Sequence, residues 1–438
     1  MDLISKYHTK MRRGFYAAVI ISLALLMVGW WNVSMHNLGT PSDQLIVIGR
    51  LFGLLAAWCI ILEIILMSRV PFMEENFDLQ DMTDLHKLTG YGILLTISAH
   101  VVFLVFGYGL QAHMDIWAQF VTFNTSFEDV FLATVGTAIL FSASAISVRV
   151  IRSKMRYEVW YVVHLTIYIA ILLTFLHQIK TGGDFAGQFM FTAYWYTLYT
   201  LAFILWGWYR VLRPFALLVR HQLKISSVVK IALDTYMVTM TGRHIDKLYF
   251  KPGQYATWRI LSSSTWTEGH PFSISSVPGD STLSFTVKAS GNFTAKIAEL
   301  QPGTYVLMDG PRGSFTSDRA ADSPVVTLIA GGIGITPYIA MIETLIAEGK
   351  HVTLLYAARS TKDIAFANTL KQYAATGLNI RLFLDDNGQR ITEDVLTSVN
   401  SNSIVYICGP NSMSKAFSKI LRKQGVDHRR IIVERFAF

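Results

Sequence analysis

The chain divides into an apolar part and a part with an ordinary mixture of polar and apolar residues. Before about residue 213, six apolar stretches are each long enough to cross the hydrocarbon core of a bilayer as a helix. They lie near residues 15–31, 45–67, 86–107, 128–148, 157–179 and 190–212. The pattern predicts an all-α six-helix membrane domain followed by a soluble module.

The soluble module changes its periodicity once along the chain. Short β-rich segments separated by Gly and Pro come first, as in KISSVVKIAL, TYMVTMTG, GQYATWRIL and TLSFTVKA, and they predict an antiparallel β-barrel. From Pro324, strands alternate with glycine turns and helices, which predicts a parallel α/β nucleotide-binding domain. The expected domains are an N-terminal segment (1–14), the membrane domain (15–215), the barrel (216–322) and the α/β domain (323–438).

Composition and charge support a membrane protein. Of the 438 residues, 52% are hydrophobic and 16% charged, against about 25% charged in soluble globular proteins. The net charge of +8 comes from Lys and Arg clustered beside the apolar spans, so it predicts no nucleic-acid partner. The first apolar run is too long for a signal peptide and no small-residue cleavage site follows, which favours a retained helix.

The basic residues also predict the orientation of the spans. They concentrate before the first span, in the fourth connection and after the sixth span: Lys6, Lys10, Arg12, Arg13, Arg149, Arg152, Lys154, Arg156, Arg210, Arg213, Arg220 and Lys224. The positive-inside rule then places both termini in the cytoplasm and the protein in the cell membrane. The two cysteines, Cys59 and Cys408, fall in different predicted domains, so no structural disulfide is expected.

The third and fifth spans each carry two histidines. His86 and His100 are fourteen residues apart, and His164 and His177 are thirteen apart. At 1.5 Å per residue these separations correspond to about 21 and about 20 Å of helix. Because both spans run in the same direction, an inner pair (His86 and His164) and an outer pair (His100 and His177) lie at matching depths.

Paired membrane histidines at two depths predict two bis-histidine b-type haems stacked across the bilayer. The alternative is four hydrogen-bonded core histidines, which four residues in two matched pairs disfavour. A fourteen-residue step returns within about 40° of the same helix face, but a thirteen-residue step misses by about 140°. Span five must therefore bend or approach its two haems from different sides. The histidines in tails, loops or the soluble part are assigned no haem: His8, His36, His113, His221, His244, His351 and His428.

Two charged residues of the second span raise separate questions. Arg50, at its outer end, is a candidate to hold a haem propionate or the electron acceptor; a snorkelling arginine is the alternative. Glu63, near its inner end, is assigned no role.

The segment GGIGITP follows the first strand of the α/β domain. Gly331, Gly332 and Gly334 would let the backbone approach a pyrophosphate, and Thr336 with Pro337 opens a helix whose first turn attracts phosphate. The spacing is not G-x-G-x-x-G, and a purely structural turn is an equal alternative. Arg359 and Ser360 follow the second strand, where NAD-specific folds often place an acid, so they favour NADPH; a surface arginine is the alternative.

Four motifs together carry a family resemblance. HPFSISS (270–276), GPRGSF (310–315), GGIGITP (331–337) and YICGP (406–410) occur in the order and rough spacing of the ferredoxin-NADP reductase superfamily. With the histidine-bearing spans in front, the chain from about residue 45 onward resembles the transmembrane ferric reductase and NADPH oxidase family. The soluble superfamily usually has Arg-x-Tyr-Ser where this chain has HPFS, and the membrane branch resembles this chain.

The resemblance implies FAD as a further cofactor and assigns residues to it. The flavin would be lined from His270 to Ser276 by His270, Pro271, Phe272, Ser273, Ser275 and Ser276. Its pyrophosphate would lie at Lys288, Gly291 and Thr294, where a helix begins. The nicotinamide would lie near Cys408, Gly409 and Pro410, and the terminal Phe438 would cover the flavin. Ser273, Cys408 and Phe438 are thereby expected at the site of hydride transfer.

The expected function is that of a transmembrane NADPH oxidase. Electrons from cytoplasmic NADPH would pass through FAD and the two haems to molecular oxygen on the far side, producing superoxide. The short outer connections, which lack a rich metal-binding cluster, favour oxygen. A ferric-chelate reductase and an electron-supply subunit for an extracytoplasmic partner protein are the alternatives, and neither such a partner nor the oligomeric state is predicted.

Overall fold

The computed structural model describes residues 3–435 except 36–37, 78, 156, 182–184, 186–187, 263–264 and 267. The described chain forms two compact units. One contains Arg13–Val70 and Asp81–Trp208. The other contains the described residues before Arg13, Pro71–Gln80 and the chain from Tyr209 onward.

The helices of the first half follow the predicted apolar pattern. They are α1 (Leu3–Ser34), α2 (Pro41–Met67), α3 (Pro71–Asn76), α4 (Leu79–Ala112), α5 (Ile116–Ser126), α6 (Glu128–Ile146), α7 (Arg149–Arg152), α8 (Tyr157–Lys180), α9 (Phe189–Trp206) and α10 (Arg213–His221), with a π-helical turn at Gly207–Leu212. Among the described residues, six helical segments are long and apolar enough to cross a membrane: Thr9–Ser34, Pro41–Met67, Asp81–Ala112, Glu128–Ile146, Val159–Lys180 and Phe189–His221. The six predicted spans are confirmed.

α2 is the most enclosed of these spans. In its most apolar window 44% of the residues are buried, against 11–28% in the other five spans. A capping box fixes its start, because the Thr40 hydroxyl accepts from the Asp43 amide while the Asp43 carboxylate accepts from the Thr40 amide. Pro41 occupies the first turn, where a missing N–H costs nothing. α2 therefore has neighbours on several sides, which matters for the histidines described below.

The short helices α3, α5 and α7 lie in connections between the predicted spans and were not predicted, and α5 is the longest of them. α5 lies in the connection between the third and fourth spans, where a short loop is expected from the sequence. Asp115 begins it by accepting a hydrogen bond from the Ala118 amide at 3.0 Å. With eleven residues it is too short to register as a span.

The first part of the soluble module is the predicted antiparallel barrel. Its strands are β1 (Lys224–Ala232), β2 (Thr235–Thr241), β3 (Tyr255–Ile260), β4 (His270–Ser273), β5 (Leu283–Lys288) and β6 (Val306–Arg312), with the short helix α11 (Asn292–Ala295) after β5. They form two three-stranded sheets, β1-β2-β5 and β4-β3-β6. Single bridges from Ile274 to Phe285 and from Lys224 to Tyr305 join the sheets at both edges and close the barrel. Alternate residues of β3, such as Trp258 and Ile260, are fully buried in its core.

The second part is the predicted parallel α/β domain. Its elements are β7 (Val325–Gly331), α12 (Thr336–Ala347), β8 (His351–Ala358), α13 (Ala367–Ala375), β9 (Asn379–Leu384), α14 (Glu393–Thr397), β10 (Ile404–Gly409), α15 (Asn411–Lys423) and β11 (Ile431–Arg435). The strand order is β11-β10-β7-β8-β9. The chain leaves β7 toward β8 and later returns to its other side as β10, so the strand order reverses between β7 and β10.

The fold class is confirmed, with one addition and one point still open. β11 is a fifth parallel strand at the sheet edge, beyond the four expected from the sequence. The domain limits at residues 14, 215 and 322 remain predictions. For the site, the useful consequence of the topology is the crevice at the carboxyl ends of β7 and β10, where such folds bind ligands.

Candidate functional site

The four membrane histidines meet in the two predicted pairs. The imidazole centroids of His86 on α4 and His164 on α8 are 6.0 Å apart, with ring planes at 80°. Those of His100 and His177 are 6.3 Å apart, with planes at 40°. Both His164 and His177 belong to α8, which is a single helix from Tyr157 to Lys180.

The Nδ1 atom of His86 is engaged by a carboxylate. Glu63 on α2 accepts from it with one oxygen and from the Thr89 hydroxyl with the other. Because a carboxylate only accepts, the proton of His86 lies on Nδ1 and Nε2 keeps its lone pair. No role for Glu63 follows from the sequence alone, although an acidic side chain inside a span is a usable signal.

Two further histidines have neutral partners at Nδ1. The Gly49 carbonyl accepts from His100 Nδ1 at 2.8 Å, and the Ser147 hydroxyl lies 3.1 Å from His164 Nδ1. Trp160 donates to the same hydroxyl at 3.1 Å and stacks on the His164 ring at 5.2 Å. Metal-binding histidines commonly have their second nitrogen held in this way.

Two further observations concern the surroundings of the histidine pairs. Among the residues that the structure describes, no group of three or more His, Cys, Asp or Glu side chains could hold a metal ion. Gly90 lies one turn after His86 on the same face of α4, and no described atom lies within 4 Å of the place where a Cβ on it would be.

The end of the bundle beside His100 and His177 contains Arg50 and a small cavity. The Arg50 guanidinium donates to the Tyr108 hydroxyl at 3.1 Å, and the Tyr108 ring meets Phe123 of α5 edge-on at 5.4 Å. The cavity has a volume of about 30 Å³, and one of its lining residues is Gln178, which follows His177 in the chain. Its lining is mostly apolar and aromatic: Gln178, Ile179, Phe185, Thr192, Trp195 and Tyr196.

The predicted flavin residues of β4 divide between two faces of the strand. His270 and Phe272 share one face, where His270 stacks on Phe293 at 4.0 Å and Phe272 on Phe285 at 5.3 Å. Pro271 and Ser273 lie on the opposite face. Pro271 is exposed and Ser273 is buried opposite Tyr255 of β3. Phe293 belongs to this aromatic group but was not predicted from the sequence.

The serines after β4 bind to β5. The Ser275 hydroxyl donates to the Thr286 hydroxyl at 3.2 Å, and the Ser276 hydroxyl accepts from the Ser284 amide at 3.1 Å. These two hydroxyls therefore fasten β4 to β5.

The predicted pyrophosphate segment forms a single turn. The Thr294 hydroxyl accepts from the amides of Ser290 and Gly291 at 2.9 and 2.8 Å, so α11 begins with two of its N–H groups already bound. Lys288 lies at the end of β5, with its ammonium group 3.2 Å from Asp363 in the α/β domain.

Three predicted glycines meet at the crevice between β7 and β10. A Cβ on Gly334 would lie 2.2 Å from the Cys408 carbonyl oxygen, and one on Gly409 would lie 3.1 Å from Gly331. Gly332 has a φ of +55°, where other residues are strained. Thr336 uses its hydroxyl within the turn, donating to the Ile333 carbonyl at 3.1 Å. Side chains at Gly331, Gly334 and Gly409 would therefore push the turn after β7 away from β10.

Cys408 and Pro410 occupy different environments at this crevice. Cys408 is fully buried, and burial together with nearby Glu434 raises the pKa of its thiol well above the usual range. Pro410 is exposed and precedes α15. Phe438 lies outside the described residues.

At the end of β8, the segment that follows contains both a cation and a carboxylate. Arg359 is exposed. The Ser360 hydroxyl donates to Asp363 at 2.7 Å, and this hydrogen bond, with the nearby Lys288 ammonium, lowers the pKa of Asp363. Both oxygens of Asp363 thus have partners within the protein.

Three family models match consecutive parts of the chain. They are a ferric reductase like transmembrane component at residues 52–175, an FAD-binding domain at residues 222–316 and an oxidoreductase NAD-binding domain at residues 328–419. Their order is that of the membrane spans, the barrel and the α/β domain described above. The chain belongs to the transmembrane ferric reductase and NADPH oxidase family. It is an integral membrane oxidoreductase with flavin-binding and nicotinamide-nucleotide-binding domains.

Relatives of named function match only part of this chain. A flavohemoprotein from Candida albicans is 30% identical over 226 residues, which cover 46% of this chain and 56% of that protein. A probable dihydroorotate dehydrogenase B (NAD(+)) electron transfer subunit from Pyrococcus furiosus is 32% identical over 186 residues, covering 42% and 68%. The chain spans about half the length of the flavohemoproteins that it matches. Among solved structures, a ferredoxin-NADP+ reductase from Plasmodium falciparum is 20% identical, with a TM-score of 0.41 and coverages of 49% and 95%.

Proposed function

We propose that the protein is a transmembrane NADPH oxidase that carries electrons from cytoplasmic NADPH through FAD and two b-type haems to oxygen, producing superoxide on the far side of a lipid bilayer. Bound FAD and haem supply the hydride acceptance and the one-electron transfer. The protein's own residues hold these groups and exclude water from them.

The histidine pairs carry this proposal. A metal–imidazole bond is about 2.0–2.1 Å long, so two imidazoles on opposite sides of one metal ion have centroids about 6–6.5 Å apart. The observed separations of 6.0 and 6.3 Å fit that arrangement. His86 and His164 would hold the inner haem, and His100 and His177 the outer one. Because each iron would have two protein ligands, oxygen would not bind the metal directly.

The barrel of the soluble module supports the proposed binding of FAD. His270 and Phe272 would border the flavin from a strand whose aromatic side is anchored on the buried ring of Phe293. Ser273 and Pro271 offer the opposite face of β4 to the flavin, and Lys288 offers a cation to its pyrophosphate. Phe438 remains a proposed cover for the flavin.

The nucleotide would bind at the crevice of the α/β domain. Gly331, Gly334 and Gly409 let the turn after β7 pack closely against β10, and α12 begins beside them. Arg359 supports NADPH over NADH, and the Asp363 carboxylate in the same turn is occupied by Ser360 and Lys288. Buried Cys408 would pack beneath the nicotinamide, with Gly409 and Pro410 at its edge.

A small cavity lined by Gln178, the residue after His177, supports oxygen as the acceptor. A volume of about 30 Å³ holds one or two small molecules, while a ferric chelate needs far more space. Its lining by Phe185 and Trp195 suits a small neutral molecule. Arg50 remains a candidate for binding a haem propionate, through the guanidinium that Tyr108 already orients.

The decisive experiment uses purified, haem-loaded, full-length protein. We expect a six-coordinate b-type spectrum with two haems per chain, and NADPH-driven dye reduction that superoxide dismutase suppresses and anaerobic conditions abolish. A protein that binds no haem would contradict the proposal. Dye or ferric-chelate reduction that continues unchanged without oxygen would replace the oxidase with a ferric-chelate reductase, and reduced haems that react with neither acceptor would indicate a partner protein.

A further inference from the structure

α2 holds both histidines of α4 by their Nδ1 atoms. Glu63 and Gly49 are fourteen residues apart on α2, the same separation as His86 and His100 on α4. The two contacts therefore repeat at the inner and outer levels of the bundle. They differ in charge, because His86 meets a carboxylate and His100 a neutral backbone carbonyl.

The Glu63 carboxylate is enclosed and held in place. Its side chain is 15% exposed, and both oxygens are hydrogen-bonded, one to His86 and the other to Thr89, which is itself buried. A carboxylate inside a membrane span costs free energy that Gln or a small residue would avoid. A role in packing alone does not explain its presence at this position.

The difference in charge has a direct consequence for a metal ion bound at Nε2. A hydrogen bond to an ionised acceptor is roughly twice as strong as one to a neutral acceptor. It draws the Nδ1 proton toward the carboxylate and raises the basicity of the ligand. Greater electron donation and the nearby negative charge both favour the ferric over the ferrous state.

On the basis of the proposed function, we propose that Glu63 is a positioning residue that lowers the midpoint potential of the inner haem below that of the outer haem. One electron leaving the haem held by His86 and His164 would then reduce the haem held by His100 and His177 in a downhill transfer. Ser147, the neutral partner of His164, does not offset this difference. Glu63 of α2 would thus help to set the direction of electron transfer across the membrane.

The test is a spectroelectrochemical titration at one fixed pH of full-length, haem-loaded protein. It compares wild type with Glu63→Gln, each also in a His177→Ala background that retains only the inner pair. We expect the inner potential to rise in Glu63→Gln, the outer potential to stay, and the separation between the two to shrink. The matched control is Cys59→Ser, one turn away on α2, in which neither potential should move.

The outcomes separate this inference from the proposed function. A wild type without two haems would refute the proposed function. Full haem content in Glu63→Gln with an unchanged or lower inner potential would refute the role of Glu63 alone. If Glu63→Gln fails to bind haem, Thr89→Val decides: it keeps the carboxylate and removes a competing donor, so the inner potential should stay or fall, and a rise would overturn the inference.

Discussion

At the scale of single residues, the turn after β8 shows how the same few side chains can favour one nucleotide. Asp363 could have received ribose hydroxyls, as acids do in NAD-specific folds. Instead its two oxygens are bound by Lys288 and Ser360, at 3.2 and 2.7 Å. Arg359 and Lys362 are exposed cations in this turn, and we propose that Arg359, the first residue after β8, meets a 2′-phosphate.

Replacing Arg359 tests this preference. We expect Arg359→Ala to raise the KM for NADPH about tenfold or more and to change that for NADH little, since a charge-assisted hydrogen bond contributes about 1.5–3 kcal/mol. The measurement is flavin reduction with each nucleotide. Lys362→Ala, an exposed cation in the same turn, is the matched control. An unchanged ratio of the two KM values, or a wild type that prefers NADH, would contradict the assignment.

At the scale of elements, α2 is the helix that organises the histidines of α4. Gly49 and Gly53 lie on one face of it, four residues apart, in the small-residue pattern that lets membrane helices approach closely. A Cβ on Gly49 would lie 2.8 Å from Leu104, and one on Gly53 only 2.6 Å from His100 Nδ1. The close approach brings the Gly49 carbonyl within reach of His100.

Adding one methyl group to this face should therefore disturb the outer site selectively. In Gly53→Ala the His100 ring must leave its position, and we expect haem content to fall toward one per chain with the inner haem kept. Gly92→Ala is the control, because its Cβ would meet Cys59 Sγ at an ordinary 3.9 Å. Haem content and the six-coordinate spectrum are the readouts. Two haems of unaltered spectrum in Gly53→Ala would show that the ring is not held there.

The same elements show what can be predicted from the sequence and what cannot. The spacing of His86 and His100 along one helix predicts two levels, because helical rise is constant. The partner of His86 could not be predicted, since Glu63 reaches it only through the register of α2 against α4. Likewise HPFS is recognisable as a motif, but strand pairing decides that Phe272 faces Phe285 while Ser273 faces away. α5 and β11 were missed because both are short and their neighbours stabilise them.

At the scale of the whole molecule, the donor-side and acceptor-side chemistry belong to different parts of the chain. The proposed nucleotide and flavin residues lie from His270 onward, whereas the histidine pairs lie between residues 86 and 177. In the proposed function, an electron that starts on a nicotinamide would therefore use both parts before it reaches the far side. Loss of one histidine of the outer pair should therefore stop electron transfer to the acceptor while NADPH still reduces the flavin.

His177→Ala makes this separation measurable. Because the variant retains His86 and His164, we expect it to keep the inner haem, about half of the wild-type haem content, and rapid reduction of the flavin by NADPH. Superoxide formation should fall to the background rate, because the outer haem that would pass the electron on has lost one of its two proposed ligands. Stopped-flow absorbance follows flavin and haem reduction, and a dismutase-sensitive dye follows the product. His113→Ala, a histidine at the end of α4 that is assigned no haem, is the matched control and should behave as wild type. Full haem content in His177→Ala would contradict the assignment of His177 as a haem ligand, and undiminished superoxide would show that the outer pair is not needed for electron transfer.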